Sequence, residues 1–262
     1  MYKFDCEKTY LQIQANWLQF GQMLKAKKWV LGISGGKDST VVAALAARIF
    51  GPENVIGVSM PCDGQKDIDD ANQVFDVLKI KRVSIDIGDA YYSLLQGLEN
   101  NCIDATSDTK INLAPRLRMS TLYAVAQSVE GVVLNTDNLS ERILGYSTLW
   151  GDSVGSYAPI QDLTVTEVVK LGEWLGIPHN LIHKKPGDGL QALGDEERMG
   201  IRYEFLDQLI RNIPLEMTAE QDEMAKRCDE RFARNLFKHE MINLPGPKFD
   251  FPNSYWRLNI VD

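Results

Sequence analysis

The string Ser34-Gly35-Gly36-Lys37-Asp38-Ser39 lies between the apolar run WVLGI and the helix-patterned VVAALAARIF. A strand that runs into such a loop and then a helix makes an anion cradle. Paired glycines let backbone N–H groups approach a phosphate with no Cβ in the way, and the helix N-terminus adds the positive end of its dipole. Gly32 and Ile33 lead into the cradle, and Ser34 and Ser39 bring hydroxyl donors. The spacing matches neither a Walker A loop nor a Gly-x-Gly-x-x-Gly fingerprint, which disfavours kinases and dehydrogenases. Asp38 is an odd neighbour for phosphates, since like charges repel strongly in a desolvated site. A divalent cation such as Mg2+ between carboxylate and phosphate removes the conflict; the bland alternative is an acidic first-turn residue favoured by the helix dipole.

A second group follows the run VVLNT: Thr136, Asp137, Glu141, Gly151 and Asp152. Glu141 is a hard oxygen ligand able to complete a cation site with Asp38, or a solvated residue beside Arg142. Arg116 upstream could fork onto a phosphate or carboxylate, or sit in a surface ion pair, and Thr136 could touch a ligand or cap the next helix. Beyond the run VIGVSM, Met60 and Gln65 precede Asp67, Asp69 and Asp70, which read as first-turn helix residues.

These groups need a scaffold that brings them together. Short apolar runs at Trp29 to Ser34, Val55 to Met60, Arg82 to Ile87 and Val132 to Thr136 read as strands buried on both faces. Helical patterns lie between them, at residues 8–26, 39–50, 67–78, 91–99 and 115–128, with Pro115 suited to a first helical turn. Further helices are expected at 164–175, 203–211 and 218–237. The alternation predicts an α/β fold, a doubly wound parallel sheet flanked by helices, in one domain over 1–262 whose part from about 203 is helical and then extended. In such sheets ligands sit beyond the C-terminal strand ends, so the stretches after Ser34, Met60 and Thr136 should share one crevice. The stretch from Asn138 to Pro159 is too long for a routine connection and reads as a functional loop.

The Ser-Gly-Gly-x-Asp-Ser string resembles the pyrophosphatase loop (PP-loop) of ATP-dependent adenylating enzymes, in the adenine nucleotide alpha hydrolase-like fold. NLAPRLRM, Thr136-Asp137 with Glu141, Gly151-Asp152 and MPCDGQKDIDDA narrow the resemblance to the ammonia-dependent NAD synthetases, over roughly Trp29 to Arg202. That resemblance implies a ligase of NAD biosynthesis that adenylates the carboxylate of nicotinic acid adenine dinucleotide with ATP and then takes ammonia. It implies ATP-binding by Gly32, Ile33, Ser34, Gly35, Gly36, Lys37, Asp38, Ser39, Met60, Gln65 and Thr136. It further implies Mg2+ on Asp38 and Glu141, dinucleotide binding by Arg116 and Lys238, Asp152 at the reacting centre, and a homodimer. The chain departs from the family at Leu149 and Ser156, where a basic and an acidic residue are expected, at Val165 in place of an ATP-binding lysine, and at Gly187 in place of a threonine. Phe237 stands where a histidine precedes the lysine, and Lys184 and Lys185 are nearby substitutes for the lost charges. The acceptor half is thus less securely matched than the nucleotide half.

Bulk properties bound the rest. A net charge of -8 and a pI near 5.0 argue against a nucleic-acid track. Cys6, Cys62, Cys102 and Cys228 show no disulfide or zinc spacing, and His179 and His183 lack the glutamate of a zinc-protease helix. The absence of a leader pattern or an apolar run of about 20 residues points to a cytoplasmic protein, away from the membrane. The rivals are an adenylating ligase with another acceptor and a non-catalytic nucleotide-binding protein.

Overall fold

The structure is a computed structural model and describes residues 2–62, 68–183, 195–241 and 246–247. Gln65, Asp67, Lys184, Lys185 and Gly187 lie outside the described residues. In chain order the elements are α1 (Cys6–Leu24), β1 (Lys28–Gly32), α2 (Lys37–Phe50), β2 (Val55–Ser59), α3 (Ile68–Leu78), β3 (Lys81–Ser84), α4 (Gly88–Asn100), α5 (Ser107–Ser128), β4 (Gly131–Val133), α6 (Leu139–Leu144), α7 (Val165–Trp174), α8 (His179–Ile182), α9 (Asp195–Met199), α10 (Tyr203–Ile210) and α11 (Ala219–Met241).

The strands form one parallel sheet in the order β3-β2-β1-β4. Strand alternation sends Trp29, Leu31 and Val55 into one core and Val30, Ile56 and Val58 into another, so both faces of the sheet are covered. The first core includes an aromatic group in which Trp17 stacks on Tyr157 at 5.0 Å and meets Trp29 edge-on at 5.3 Å. Gly57 is required there, because a Cβ would come within 2.5 Å of Phe75 and 2.7 Å of Ile33. A third core joins α6 to α9, α10 and α11. No helix among the described residues is long and apolar enough to cross a membrane.

Four expectations need correction. Each strand is shorter at its C-terminal end than its apolar run, although single bonds continue past β1, β3 and β4, where the amides of Ile33, Ile85 and Leu134 donate to the carbonyls of Val58, Ser59 and Val30. β3 is largely exposed at the sheet edge and is not buried on both faces. α5 begins at Ser107, with Thr106 as N-cap accepting from the Thr109 amide at 3.1 Å, so Pro115 lies inside the helix. Its polar first turns bury almost nothing and therefore give no apolar period to read. The stretch after Asn138 contains a helix, α6, and returns to the sheet through a parallel bridge of Leu134 with Tyr157.

α7 and α10 are locked by a buried ion pair. Arg211, just past α10, donates from Nε and Nη2 to the two oxygens of Glu167 at 2.7 and 2.6 Å, and also to the Asp162 carbonyl at 2.7 Å. The Tyr2 hydroxyl donates to the same carboxylate. Removing one partner of such a pair strands a buried charge and costs about 3–5 kcal/mol. Arg211→Met should therefore lower the unfolding free energy from urea denaturation, at unchanged slope, by an amount in that range, and a loss below about 1 kcal/mol, the scale of surface pairs, would show the pair to be dispensable.

Candidate active site

The loop after β1 takes the shape its sequence predicts. Gly35 has φ +79°, and a Cβ there would strike Asp70 Cβ at 2.8 Å and the Ala71 amide at 2.9 Å. Glycine thus serves both the left-handed turn and the approach of the first turn of α3. The Ser34 hydroxyl accepts from the Gly36 amide at 3.1 Å, and the Ser39 hydroxyl donates to the Gly36 carbonyl at 3.1 Å. Gly36 is the N-cap of α2 and supplies no side-chain cap, so the first amides of a fourteen-residue helix point at the loop. Gly32 and Met60 pack together, with Met60 Cε 3.2 Å from where a Gly32 Cβ would stand, which joins the ends of β1 and β2.

Asp38 is held from two sides. Its Oδ2 accepts from Lys37 Nζ at 2.7 Å and its Oδ1 from Asn138 Nδ2 at 3.0 Å. Asn138 is fully buried and is also the N-cap of α6, its Oδ1 accepting from the Glu141 amide at 3.0 Å. Glu141 thus starts a helix at the end of β4 that faces the loop at the end of β1, the adjacent strand. Burial, reinforced by the Asp38 charge, pushes the Glu141 carboxyl well above the ordinary range, with Lys37 opposing. Asp137, also buried, is pushed up by burial and by Asp152. Among the described residues no three acidic, His or Cys side chains gather as a metal cluster. Asp38 and Glu141, linked through Asn138, are hard oxygen groups of the type that can hold a cation such as Mg2+ together with phosphate and water.

The second wall is the strap 145–157. The Asp152 Oδ1 accepts from the Thr148 amide at 2.6 Å, and the Asn135 side chain donates to the Asp152 carbonyl at 3.1 Å and the Val154 carbonyl at 3.4 Å. Asp152 is open to solvent by area, yet the protein around its carboxyl raises its pKa, with the Thr148 amide, Lys238 and Arg118 opposing. Gly151 is required where the strap crosses α5, since a Cβ would meet Thr148 at 2.8 Å and Pro115 at 3.0 Å. Arg116 is exposed on α5 and donates to the Leu149 carbonyl at 3.4 Å, and Arg118 donates to the Met60 carbonyl at 3.3 Å. Lys238 on α11 donates to the carbonyls of Gly145 and Ser147 at 2.8 and 2.7 Å.

The structure thus brings the loop, Asp38, Thr136, Glu141 and Asp152 to one end of the sheet, with Arg116 from α5 and Lys238 from α11 bonded to the strap. Thr136 is not the cap of the next helix; Asn138 is. Sequence reasoning missed Asn135 and Asn138, although an asparagine just before a helix is itself an N-cap signal. It also missed Asp207 on α10, which is buried and accepts from the Ser140 hydroxyl at 2.6 Å and the Thr166 amide at 2.7 Å, fixing the starts of α6 and α7. Burial pushes its carboxyl up to about 6.

Asp137, Glu141, Asp152 and Asp207 all hold protons more tightly folded than unfolded. Each adds stability while protonated and loses that contribution as pH rises through its folded value. The melting temperature of the ligand-free protein should therefore fall as pH rises from the ordinary carboxylate range to the Asp207 value of about 6, and Mg2+ should raise it more at pH 7 than at pH 5. A flat profile, or equal Mg2+ effects at both pH values, would contradict the crowding of these carboxylates.

The NAD synthase family model matches residues 13–242. The NH(3)-dependent NAD(+) synthetase of Thermococcus sibiricus is 41% identical over 73% of this chain and 75% of its own length, and that of Mycoplasmopsis pulmonis is 34% identical over 94% and 92%. Among solved structures, the NMN synthetase of Francisella tularensis superposes with a TM-score of 0.81 at 30% identity, covering 93% of this chain and 99% of that one. The NH3-dependent NAD synthetase of Campylobacter jejuni gives 0.75 at 26%, covering 92% and 99%. With the model spanning most of the chain and the loop and carboxylate pair at the sheet's C-terminal end, the chain belongs to the NAD synthase family.

Proposed function

We propose that this protein is an ATP-dependent amide ligase that converts nicotinic acid adenine dinucleotide and ammonia to NAD, releasing AMP and pyrophosphate. The observation that carries the reading is that Asn138 bonds both the Asp38 carboxylate and the Glu141 amide beside the uncapped start of α2. In this reading the nicotinate carboxylate attacks the α-phosphorus of ATP, the bond to the bridging oxygen breaks, and pyrophosphate leaves. Ammonia then adds to the acyl-adenylate carbonyl, AMP departs, and the nitrogen loses a proton. The amides and hydroxyls of residues 34–39 receive the leaving pyrophosphate, an electrostatic role in which fixed donors are worth far more than in water. Gly32, Ile33, Met60 and Thr136 line the nucleotide side, and Gln65 is assigned there by family resemblance. Mg2+ on Asp38 and Glu141 would neutralise charge on the phosphates. Asp152 lines the reacting centre, with Arg116 and Lys238 on the acceptor side. No protein nucleophile is needed, and positioning supplies most of the catalysis. Two copies would assemble as a homodimer, as the family resemblance implies.

A second reading concerns the acceptor. Leu149 and Ser156 stand where charged contacts to the dinucleotide are expected, and the Francisella relative, aligned over nearly its whole length, is named for NMN. The acid corresponding to NMN is a smaller acceptor that would not need those contacts.

Purified protein should be given ATP, Mg2+, ammonium and either nicotinic acid adenine dinucleotide or its mononucleotide, and AMP and amide product followed. A higher kcat/KM for the dinucleotide supports the first reading and a higher value for the mononucleotide the second. AMP formation with neither would overturn both. Asp38→Asn and Glu141→Gln should each lower kcat by about 100-fold or more, the scale of losing one charge-stabilising group, and Glu141→Gln should raise the melting temperature at pH 7 by removing a crowded carboxylate. Unchanged rates would remove the carboxylate pair from the chemistry.

A further inference from the structure

We propose that Asn138 is a positioning residue that sets the Asp38 carboxylate against Glu141; the proposal rests on the reading of those two residues as a cation pair. Asn138 is fully buried, and both ends of its amide are used. The oxygen accepts from the Glu141 amide at 3.0 Å, which fixes the first turn of α6 and with it the origin of the Glu141 side chain. The nitrogen donates to Asp38 Oδ1 at 3.0 Å, across 100 residues of sequence and from the strand next door. One planar side chain therefore ties the Asp38 carboxylate to the main chain from which Glu141 projects.

Asp38 Oδ2 is engaged by Lys37, a neighbour in the same turn that moves with the loop, whereas the bond from Asn138 spans the crevice. With one donor on each oxygen, the carboxylate cannot rotate freely. It still has unused lone pairs, of about four in all, to turn toward a cation. A neutral donor is also the group that can touch Asp38 without competing for a cation as a charge would. Side chains behind the ligands typically tune metal affinity by about 10- to 100-fold.

The alternative is that Asn138 only caps α6. Serine and threonine also cap helices but have no amide to reach Asp38, so Asn138→Ser and Asn138→Thr keep one role and remove the other. Mn2+ binding should be titrated by electron paramagnetic resonance, with a non-hydrolysable ATP analogue present, for wild type, both variants and Asp38→Asn. Melting temperatures serve as the folding control, and two capping replacements guard against one failing to fold. Mn2+ affinity should fall about 10- to 100-fold in a folded Asn138 variant. The Mg2+ concentration for half-maximal activity should rise in parallel, while kcat at saturating Mg2+ falls much less. Wild-type Mn2+ affinity in both Asn138 variants, with Asp38→Asn impaired, would overturn the proposal and leave the cation pair standing. Wild-type affinity in Asp38→Asn as well would remove the cation pair and the role of Asn138 with it.

Discussion

The constraint on which this structure turns is the meeting of acidic side chains where two adjacent parallel strands end. Asp38 follows β1, and Asp137 and Glu141 follow β4, and burial together with mutual repulsion drives Glu141 and Asp137 toward their protonated forms. A fold optimised for its own stability would not crowd carboxylates there, since each loses hydration and gains repulsion. The arrangement makes sense as a site completed by something positive. The helix start and the glycines beside it are suited, conversely, to something negative. In the proposed reading a cation carried on a polyphosphate would satisfy both demands together, joining the anion cradle and the acidic pair in one functional unit.

The rest of the molecule fixes those two ends rigidly. The register of β1 with β2 and β4 sets the relative height of the loops. Gly57 allows the sheet to pack closely on Phe75 and Ile33, and Gly35 lets α3 come against the loop. Further out, Glu167 and Arg211 join α7 to the end of α10, and Asp207 ties the starts of α6 and α7 through Ser140 and Thr166. Such fully satisfied buried polar groups specify one arrangement in a way that apolar contacts, being non-directional, do not. Val165 belongs to the same region. It is buried in the third core and its amide donates to Ser140, so the position where the family resemblance implies an ATP-binding lysine is here used for packing.

Much of this was legible in the residues. The loop from Ser34 to Ser39 could be read because strand, glycines and helix occur in unbroken succession, and the order of motifs along the chain fixed the family. Elements whose signal is not apolar periodicity were harder. The start of α5 is written in a threonine cap and polar turns, and α6 is only six residues long, between an asparagine cap and Gly145 in the left-handed conformation. Asn138 and Asn135 escaped notice because their importance lies in partners far away in sequence, Asp38 in one case and the strap in the other. Asp207 escaped for the same reason. Spacing rules reveal groups that act together along one element, and these act across elements.

The strap from Gly145 to Tyr157 explains why the nucleotide half of the site could be matched to the family more securely than the acceptor half. Its path is held largely through the main chain. The Ser156 amide donates to Val133, the Leu149 carbonyl accepts from Arg116, and the carbonyls of Gly145 and Ser147 accept from Lys238. The side chains at 149 and 156 take no part in these bonds, so charged residues can become Leu and Ser there without rerouting the chain. In the proposed reading the cradle has no such freedom, because its glycines, its Asp38 and its hydroxyls would themselves be the contacts. Acceptor choice can therefore change by substitution on a fixed strap while the adenylating machinery stays constant, which is how one scaffold could serve relatives named for different products.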